Sequence, residues 1–251
     1  MNEISIKELL YKIADDQLIL GHRNSEWTGF GPLLEEDIAF SSMAQDKIGQ
    51  SCALYTILHA MGEQDPDTIA FTRNANQFHN SILTELPNGE YDFSLIRHFL
   101  YDTAEIIRFE MLMQSSFKPL AELAVKVRAE LRYHTLHANT WVKQLGNATE
   151  ESISRLQNSL DYSMPYALGM FEESPYEKIL IQGGVFPGEE VLKEKWKSKV
   201  EEVISQTQLQ LPDWKLLKPV HGGRLGNHSE HLQPLLDEMN EVFKIDPGAE
   251  W

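Results

Sequence analysis

A carboxylate and two imidazoles follow one another at helical spacing within residues 120–145. Glu130 precedes His134 by four residues and His137 by seven, so the three side chains share one strip of a predicted helix. Apolar residues at alternating steps of four and three predict that this helix packs into a bundle. They are Leu120, Ala124, Val127, Leu131, Ala138, Val142 and Leu145. Because a buried carboxylate needs a partner, this helix is the first candidate for metal chemistry.

A ferritin-like bundle that binds two metal ions offers a template for such a site. It places a single carboxylate on each of two helices and a Glu-x-x-His pair on each of the other two, all projecting inward. Three further predicted helices carry a carboxylate on or near their inner face, namely Asp15, Asp46 and Asp102. Together with Glu130 they would form an oxygen-rich site of the kind that suits iron or manganese.

The two histidines of the template are missing from this register. Gly49 stands three residues after Asp46, and Tyr133 stands three residues after Glu130. His134 comes one residue late, and an offset of one residue turns a side chain by about 100° around a helix. We therefore expect a degenerate site that binds no metal and has no catalytic residues, with carboxylates hydrogen-bonded in the core. An active di-metal oxidase stays open as the alternative.

These positions belong to four long predicted helices that form two similar hairpins, with further helices after them. No stretch alternates as a strand would, so the predicted class is all-α, a ferritin-like four-helix core with additional C-terminal helices. We expect one domain over residues 1–251, with its core at about 4–146 and peripheral helices at about 149–251. Predicted smaller features are a short helix over 65–83, an extended segment over 178–182, and a last helix from Ser229 that stops at Pro247 and Gly248.

The charge balance excludes some classes of partner. The chain has 22 lysines and arginines against 38 aspartates and glutamates, which gives a net charge of −16. Such acidity argues against binding to nucleic acid and to anionic membranes. It could complement a basic patch on another protein, although a solubilising surface explains it as well.

Cysteine usage and hydropathy indicate the cellular compartment of the protein. Cys52 is the only cysteine, which rules out a disulfide framework and a thiolate metal cluster and fits a reducing cytoplasm. Its neighbours on the helix predict a small buried side chain rather than a nucleophile. The first ten residues show no targeting signal, and no apolar run reaches the ~18 residues of a membrane span. We expect a soluble, cytoplasmic protein.

Several runs of sequence resemble PaaC, the family of structural subunits of the multicomponent phenylacetyl-CoA 1,2-epoxidases, also called ring 1,2-phenylacetyl-CoA oxygenases. The likeness covers nearly the whole chain in order. Its runs are residues 20–27, 34–50, 70–73, 87–89, 129–134, 145–149, 228–232 and 247–251.

This resemblance implies a ferritin-like subunit without a working metal site. It implies that the chain pairs with a homologous catalytic subunit, PaaA, which holds the di-iron centre, while electrons arrive from NADPH through a separate flavin and iron–sulfur reductase. No cofactor is then expected in this chain, and a homodimer is possible when it is alone. We expect the partner interface along the first two helices, with Trp27, Phe30, Phe40 and Tyr55 as candidate anchors.

Overall fold

The protein is described by a computed structural model that covers residues 2–246. The described residues form eleven α-helices and no strand. The helices are α1 (Glu3–Ser25), α2 (Leu34–Ala60), α3 (Pro66–Phe71), α4 (Ile82–Glu85), α5 (Tyr91–Leu112), α6 (Lys118–Leu145), α7 (Glu150–Gly169), α8 (Glu177–Gln182), α9 (Glu189–Ile204), α10 (Leu232–Met239) and α11 (Glu241–Ile245). The predicted all-α, ferritin-like class is confirmed: the four long helices and the additional C-terminal helices are present.

The chain divides into two compact units. The N-terminal unit comprises residues 7–87 and 222–246, and the central unit comprises residues 2–6 and 88–221. The N-terminal unit therefore contains most of α1 and all of α2, whereas the central unit contains α5 and α6. The prediction of a single domain stays a prediction.

Glycines allow two close approaches within the N-terminal unit. A Cβ on Gly21 of α1 would lie 2.9 Å from Cγ1 of Ile48, so the backbone of α1 packs directly against this side chain of α2. A Cβ on Gly223 would lie 2.3 Å from the carbonyl oxygen of Asn80. The next residue, Arg224, holds this segment against α1, because its Nη2 lies 2.7 Å from Oδ2 of the buried Asp16.

The central unit is held together around α5 by buried polar contacts as well as by apolar packing. The indole Nε1 of the buried Trp196 donates to the carbonyl of Leu100 at 2.9 Å, which ties α9 to α5. Arg108 of α5 lies 2.6 Å from Glu189 at the start of α9 and also binds Glu105 at 2.8 Å. A buried guanidinium with two carboxylate partners satisfies its donors where water is excluded.

Helix α6 buries the face that the sequence predicts, and a side chain caps the start of α7. The predicted inner face of α6 is buried from Leu120 to Val142, and Thr149 caps α7 by accepting from the backbone N–H of Ser152. Glu90 precedes α5, and the carboxylate of Asp92 accepts from Arg155 and Ser159 of α7.

Three predicted elements are corrected. Residues 178–182 are helical within α8 rather than extended, and the short helix expected over 65–83 breaks into α3, a 3₁₀ turn and α4. The last helix divides at Asn240 into α10 and α11, and its predicted stop at Pro247 and Gly248 lies outside the described residues. Short apolar runs do not distinguish helix from strand, which explains the error at 178–182.

Cys52 is exposed on α2, so the prediction of a small buried side chain is wrong. None of the helices in the described part of the chain combines the length and apolar character that crossing a bilayer requires.

Candidate functional site

The predicted site residues divide between the two units, and Asp15 belongs to the N-terminal one. It is fully buried, and both of its carboxylate oxygens are already engaged. Arg73 donates to it from two nitrogens, Nη2 to Oδ1 at 2.6 Å and Nη1 to Oδ2 at 3.0 Å. The hydroxyl of Tyr55 donates to Oδ1 at 2.5 Å, and the backbone N–H of His79 donates to Oδ2 at 2.7 Å. Asp15 is thus the acceptor of an internal ion pair.

Aromatic rings enclose the guanidinium of Arg73. Its central carbon lies 4.0 Å from the ring centre of Phe78, and the rings of Tyr11 and Tyr55 are also near. Burial raises the pKa of Tyr55 well above its ordinary value, and the neighbouring Asp15 charge raises it further. The phenol therefore stays protonated and serves as a donor.

The register of α2 differs from the prediction by one residue. Asp46 is half-buried, and Gly49 is exposed, with open space where its side chain would be. The buried pair at i, i+3 spacing is instead Lys47 and Gln50, which are 0% and 2% exposed. The buried positions on this face follow steps of four, three and four, and they are Met43, Lys47, Gln50 and Leu54. A lysine and a glutamine therefore occupy the positions where the template has glutamate and histidine.

Helix α6 in the central unit shows the same offset. Glu130 is half-buried and Tyr133 is 50% exposed, so neither belongs to the inner face where the prediction placed them. The buried pair at i, i+3 spacing is Leu131 and His134. One imidazole of the template is thus present at its proper spacing, while the glutamate position holds an apolar side chain.

Asp102 of α5 lies at the centre of a histidine cluster in the central unit. Its Oδ2 is 2.5 Å from Nδ1 of His98, one turn earlier on the same helix. Its Oδ1 is 3.7 Å from Nδ1 of His134. Nε2 of His98 is in turn 3.3 Å from Nδ1 of the half-buried His137. Asp102, His98 and His134 are all buried.

Burial sets the protonation of His98. It lowers the pKa of this imidazole to about 4, against the opposing effect of the Asp102 carboxylate. His98 is therefore neutral near pH 7, with its one proton on Nδ1 donated to Asp102 and with Nε2 as an acceptor. His137 then supplies the proton for the contact with Nε2. His98 was not among the predicted site residues, although its spacing of four from Asp102 on a buried helix face was a usable signal.

Neither unit presents the Glu-x-x-His pair of a di-iron template. The buried i, i+3 pair is Lys47 and Gln50 in the N-terminal unit and Leu131 and His134 in the central unit, and neither pair contains a carboxylate. Asp15 is already paired with Arg73, so its carboxylate is not a free metal ligand. Within residues 2–246, no three histidine, cysteine, aspartate or glutamate side chains are arranged to hold a metal ion.

The four candidate interface anchors differ in exposure. Phe40 and Tyr55 are buried inside the chain, so the prediction that they contact a partner is corrected: both serve the internal packing of the N-terminal unit. Trp27 is half-buried, with its ring centre 6.2 Å from that of Phe40. Phe30 is 79% exposed and keeps its place as a candidate.

Comparison with known proteins identifies the family of the chain. A family model described as phenylacetic acid catabolic protein matches residues 2–251. The chain belongs to the phenylacetic acid catabolic protein family. One of the subunits of the 1,2-phenylacetyl-CoA epoxidase of Escherichia coli (strain K12) is 31% identical over 252 residues, with both chains covered in full. The resemblance inferred from the sequence is confirmed, and the protein belongs to phenylacetate catabolism.

Proposed function

We propose that this chain is a non-catalytic subunit of a 1,2-phenylacetyl-CoA epoxidase complex of aerobic phenylacetate degradation. In that complex it pairs with a homologous, PaaA-like catalytic subunit and stabilises it. The di-iron centre lies in the catalytic subunit, and this chain carries no cofactor of its own. The full-length similarity to a subunit of the Escherichia coli enzyme supports membership of such a complex.

Lys47 is the observation that carries the non-catalytic role. It is completely buried at a position where a di-iron template places an inward glutamate, with Gln50 in the place of the histidine. A lysine side chain supplies no carboxylate oxygen to iron, so this position lacks the ligand that the template requires. A chain that keeps the fold but lacks iron ligands can still serve as a scaffold.

The surface of the N-terminal unit supports a role in pairing. Four large apolar side chains are exposed at the start of α2 and in the preceding turn, and we call them the α2 patch: Phe30, Leu33, Leu34 and Ile38. Leu34 and Ile38 are four residues apart and so share one helix face. An exposed apolar cluster on a strongly acidic chain is a sign of a protein interface. A partner that binds only the folded catalytic subunit stabilises that subunit by mass action.

Other features of the proposal concern the whole assembly. We propose that the complex is cytoplasmic, that the chain folds as one functional domain over 1–251, and that it can form a homodimer when its partner is missing. An acidic chain with one cysteine suits a reducing compartment and a protein partner.

A second candidate function is an active di-metal oxidase. The buried Asp102, with His98 and His134 as neighbours, favours it, because carboxylate and imidazole are ligands that iron accepts. The hydrogen bond from Nδ1 of His98 to Oδ2 of Asp102 already occupies one potential ligand atom of each residue, which weakens this alternative.

Co-expression tests the proposed function. The catalytic subunit is produced alone and together with this chain, and its soluble yield and its epoxidase activity with phenylacetyl-CoA are measured. We expect both to be low for the catalytic subunit alone and to rise when this chain is present. A catalytic subunit that is soluble and fully active by itself would show that no scaffold is needed.

A further inference from the structure

Residues 222–231, which we call the return segment, pack against residues 78–85 of the same N-terminal unit. Arg224 fixes the beginning of the segment, because its Nη1 donates to the carbonyl oxygen of His79 at 3.0 Å. A Cβ on Gly226 would lie 2.4 Å from the carbonyl oxygen of Asn76, so the two backbones are in direct contact there. The far end of the segment is held in a different way, by a histidine.

His228 places both of its ring nitrogens against acceptors. Nδ1 lies 2.8 Å from Oε2 of Glu85, and Nε2 lies 3.0 Å from the carbonyl oxygen of Phe78. A carbonyl oxygen and an ionised carboxylate can only accept a hydrogen bond, so each ring nitrogen has to carry a proton. The two contacts therefore exist together only when the ring is the imidazolium cation.

The other contacts of Glu85 match those of an ionised carboxylate. The backbone N–H of Ser229 donates to Oε1 at 2.6 Å, and the side-chain amide of Asn80 donates to Oε2 at 2.9 Å. The side chains of His228 and Glu85 are 4% and 0% exposed, so water does not screen the pair. Loss of the charge on either residue would leave the other without compensation.

Glu85 is the charged group in direct contact with the His228 ring. Asp15 on α1 is a second anion near the ring; Arg73 binds it at 2.6 Å, and its charge also favours protonation of His228. The other charged or titratable side chains on the elements packed here are Asp16 and Arg224, which bind each other at 2.7 Å, Arg23, which binds Glu26, and His79 and His231.

We propose that the return segment is a pH-sensitive closure, held against residues 78–85 while His228 is doubly protonated and opened when the ring loses one proton. A neutral ring has one N–H and can keep only one of the two contacts. Either the Glu85 carboxylate or the Phe78 carbonyl then loses a donor in a place that excludes water. Opening is confined to the segment, because α10 beyond it is anchored by its own buried leucines.

The direction of the pH dependence follows from the surroundings of His228. Burial alone would lower the pKa of this imidazole, but its hydrogen bond to Glu85, the charge of that carboxylate and the contact with Phe78 raise the pKa above the ordinary 6.5. The stabilisation is therefore fully present below pH 6.5 and is lost as the pH rises from 6.5 to the folded-state pKa. This closure does not depend on the scaffold role.

Two measurements on the full-length chain test the closure between pH 6 and 9. Nuclear magnetic resonance follows the Cε1–H signal of His228, assigned by its disappearance in His228→Gln. Hydrogen-exchange mass spectrometry follows the return segment, with exchange times scaled to the chemical exchange rate at each pH. We expect a midpoint above 6.5, and protection that falls by up to about tenfold per pH unit above 6.5 and levels off at that midpoint. Peptides from α7 should keep their protection.

Three variants assign the effect to the pair. Glu85→Gln removes the carboxylate and should lower the midpoint of His228 by at least about one pH unit. His228→Gln should leave the return segment less protected at pH 6 and should abolish the change in protection between pH 6 and 9. His59→Gln is the matched control, because His59 is exposed on α2 and its Nδ1 lies 3.0 Å from the carbonyl oxygen of Glu63. It should behave as the wild type does.

Circular dichroism establishes that each variant is folded, and titration of the wild type decides the question if Glu85→Gln does not fold. A wild-type midpoint at or below 6.5 would overturn the proposal. So would equal protection of the return segment at pH 6 and pH 9, a midpoint unchanged in Glu85→Gln, or the same loss of protection with pH in His228→Gln.

Discussion

Arg73 holds Asp15 with both of its terminal nitrogens in the interior of the N-terminal unit, at 2.6 and 3.0 Å. Breaking a buried pair by removing one partner leaves an uncompensated charge. We expect Arg73→Leu to lower the free energy of unfolding by about 3–5 kcal/mol in urea titrations.

Lys7→Gln is the matched control for that prediction. Lys7 pairs with Glu63 at 3.0 Å in the same unit, but both side chains are partly exposed. Its loss should cost less than about 1 kcal/mol. An Arg73→Leu variant as stable as Lys7→Gln would mean that the Asp15 contact contributes little.

Two glycines of the N-terminal unit should respond oppositely to alanine. Gly49 lies in the interior of α2 with open space around its missing side chain, so Gly49→Ala should raise stability by about 0.5–1 kcal/mol. Gly223→Ala should lower it by about 3 kcal/mol, because a Cβ would lie 2.3 Å from the carbonyl oxygen of Asn80 and the backbone would have to shift. Thermal unfolding of the two variants beside the wild type measures the difference. A stabilised Gly223→Ala protein would contradict the close approach.

The pKa of His98 predicts how stability depends on pH. The folded-state value is about 4 and the ordinary value 6.5, so the unfolded chain binds the extra proton between these values. The contribution of neutral His98 is therefore fully present above pH 6.5 and is lost as the pH falls toward 4, at about 1.4 kcal/mol per pH unit. His98→Gln should flatten the pH dependence of the unfolding free energy within this window.

Nuclear magnetic resonance provides a direct check on the same group. The Cε1–H signal of His98, assigned by its disappearance in His98→Gln, should not titrate between about pH 5.5 and 8. A midpoint near 6.5 would show that the imidazole is not desolvated beside Asp102.

The α2 patch should control pairing with the catalytic subunit. A charge in the core of an apolar interface is desolvated on binding without compensation, so Leu34→Glu and Ile38→Glu should reduce co-purification at least about tenfold. Because both side chains are exposed, the stability of this chain alone should change by less than about 0.5 kcal/mol.

Leu216→Glu is the control for the patch. Leu216 is as exposed as Phe30 but lies in the central unit, far along the chain from α2. It should co-purify as the wild type does. If all three glutamate variants keep full pairing, the interface lies elsewhere.

The long helices could be predicted because strong local signals agree at each end. Proline at the start of α6, glycine after it, and a seam at steps of four and three all point to the same bounds. The inward position of Asp102 could be predicted for the same reason, since it falls within an otherwise apolar stripe.

The register of the candidate site could not be predicted in the same way. Lysine and aspartate are both seldom buried, so the pattern alone does not choose between Asp46 and Lys47. The carboxylates of Asp46 and Glu130 fit the metal template, which favours them over Lys47 and Leu131. Packing buries Lys47 and Leu131 instead. The partners of Asp15 could not be predicted either, because Arg73 lies 58 residues away and only the fold brings the two together.

Iron quantification on the separated subunits tests the central claim most directly. The chain is purified from iron-supplemented cells, both alone and after dissociation from its catalytic partner, and iron is measured by inductively coupled plasma mass spectrometry. Because Lys47 and Leu131 occupy the two inward glutamate positions, we predict essentially no iron in this chain and about two irons in its partner. About two irons bound to this chain itself would contradict the account.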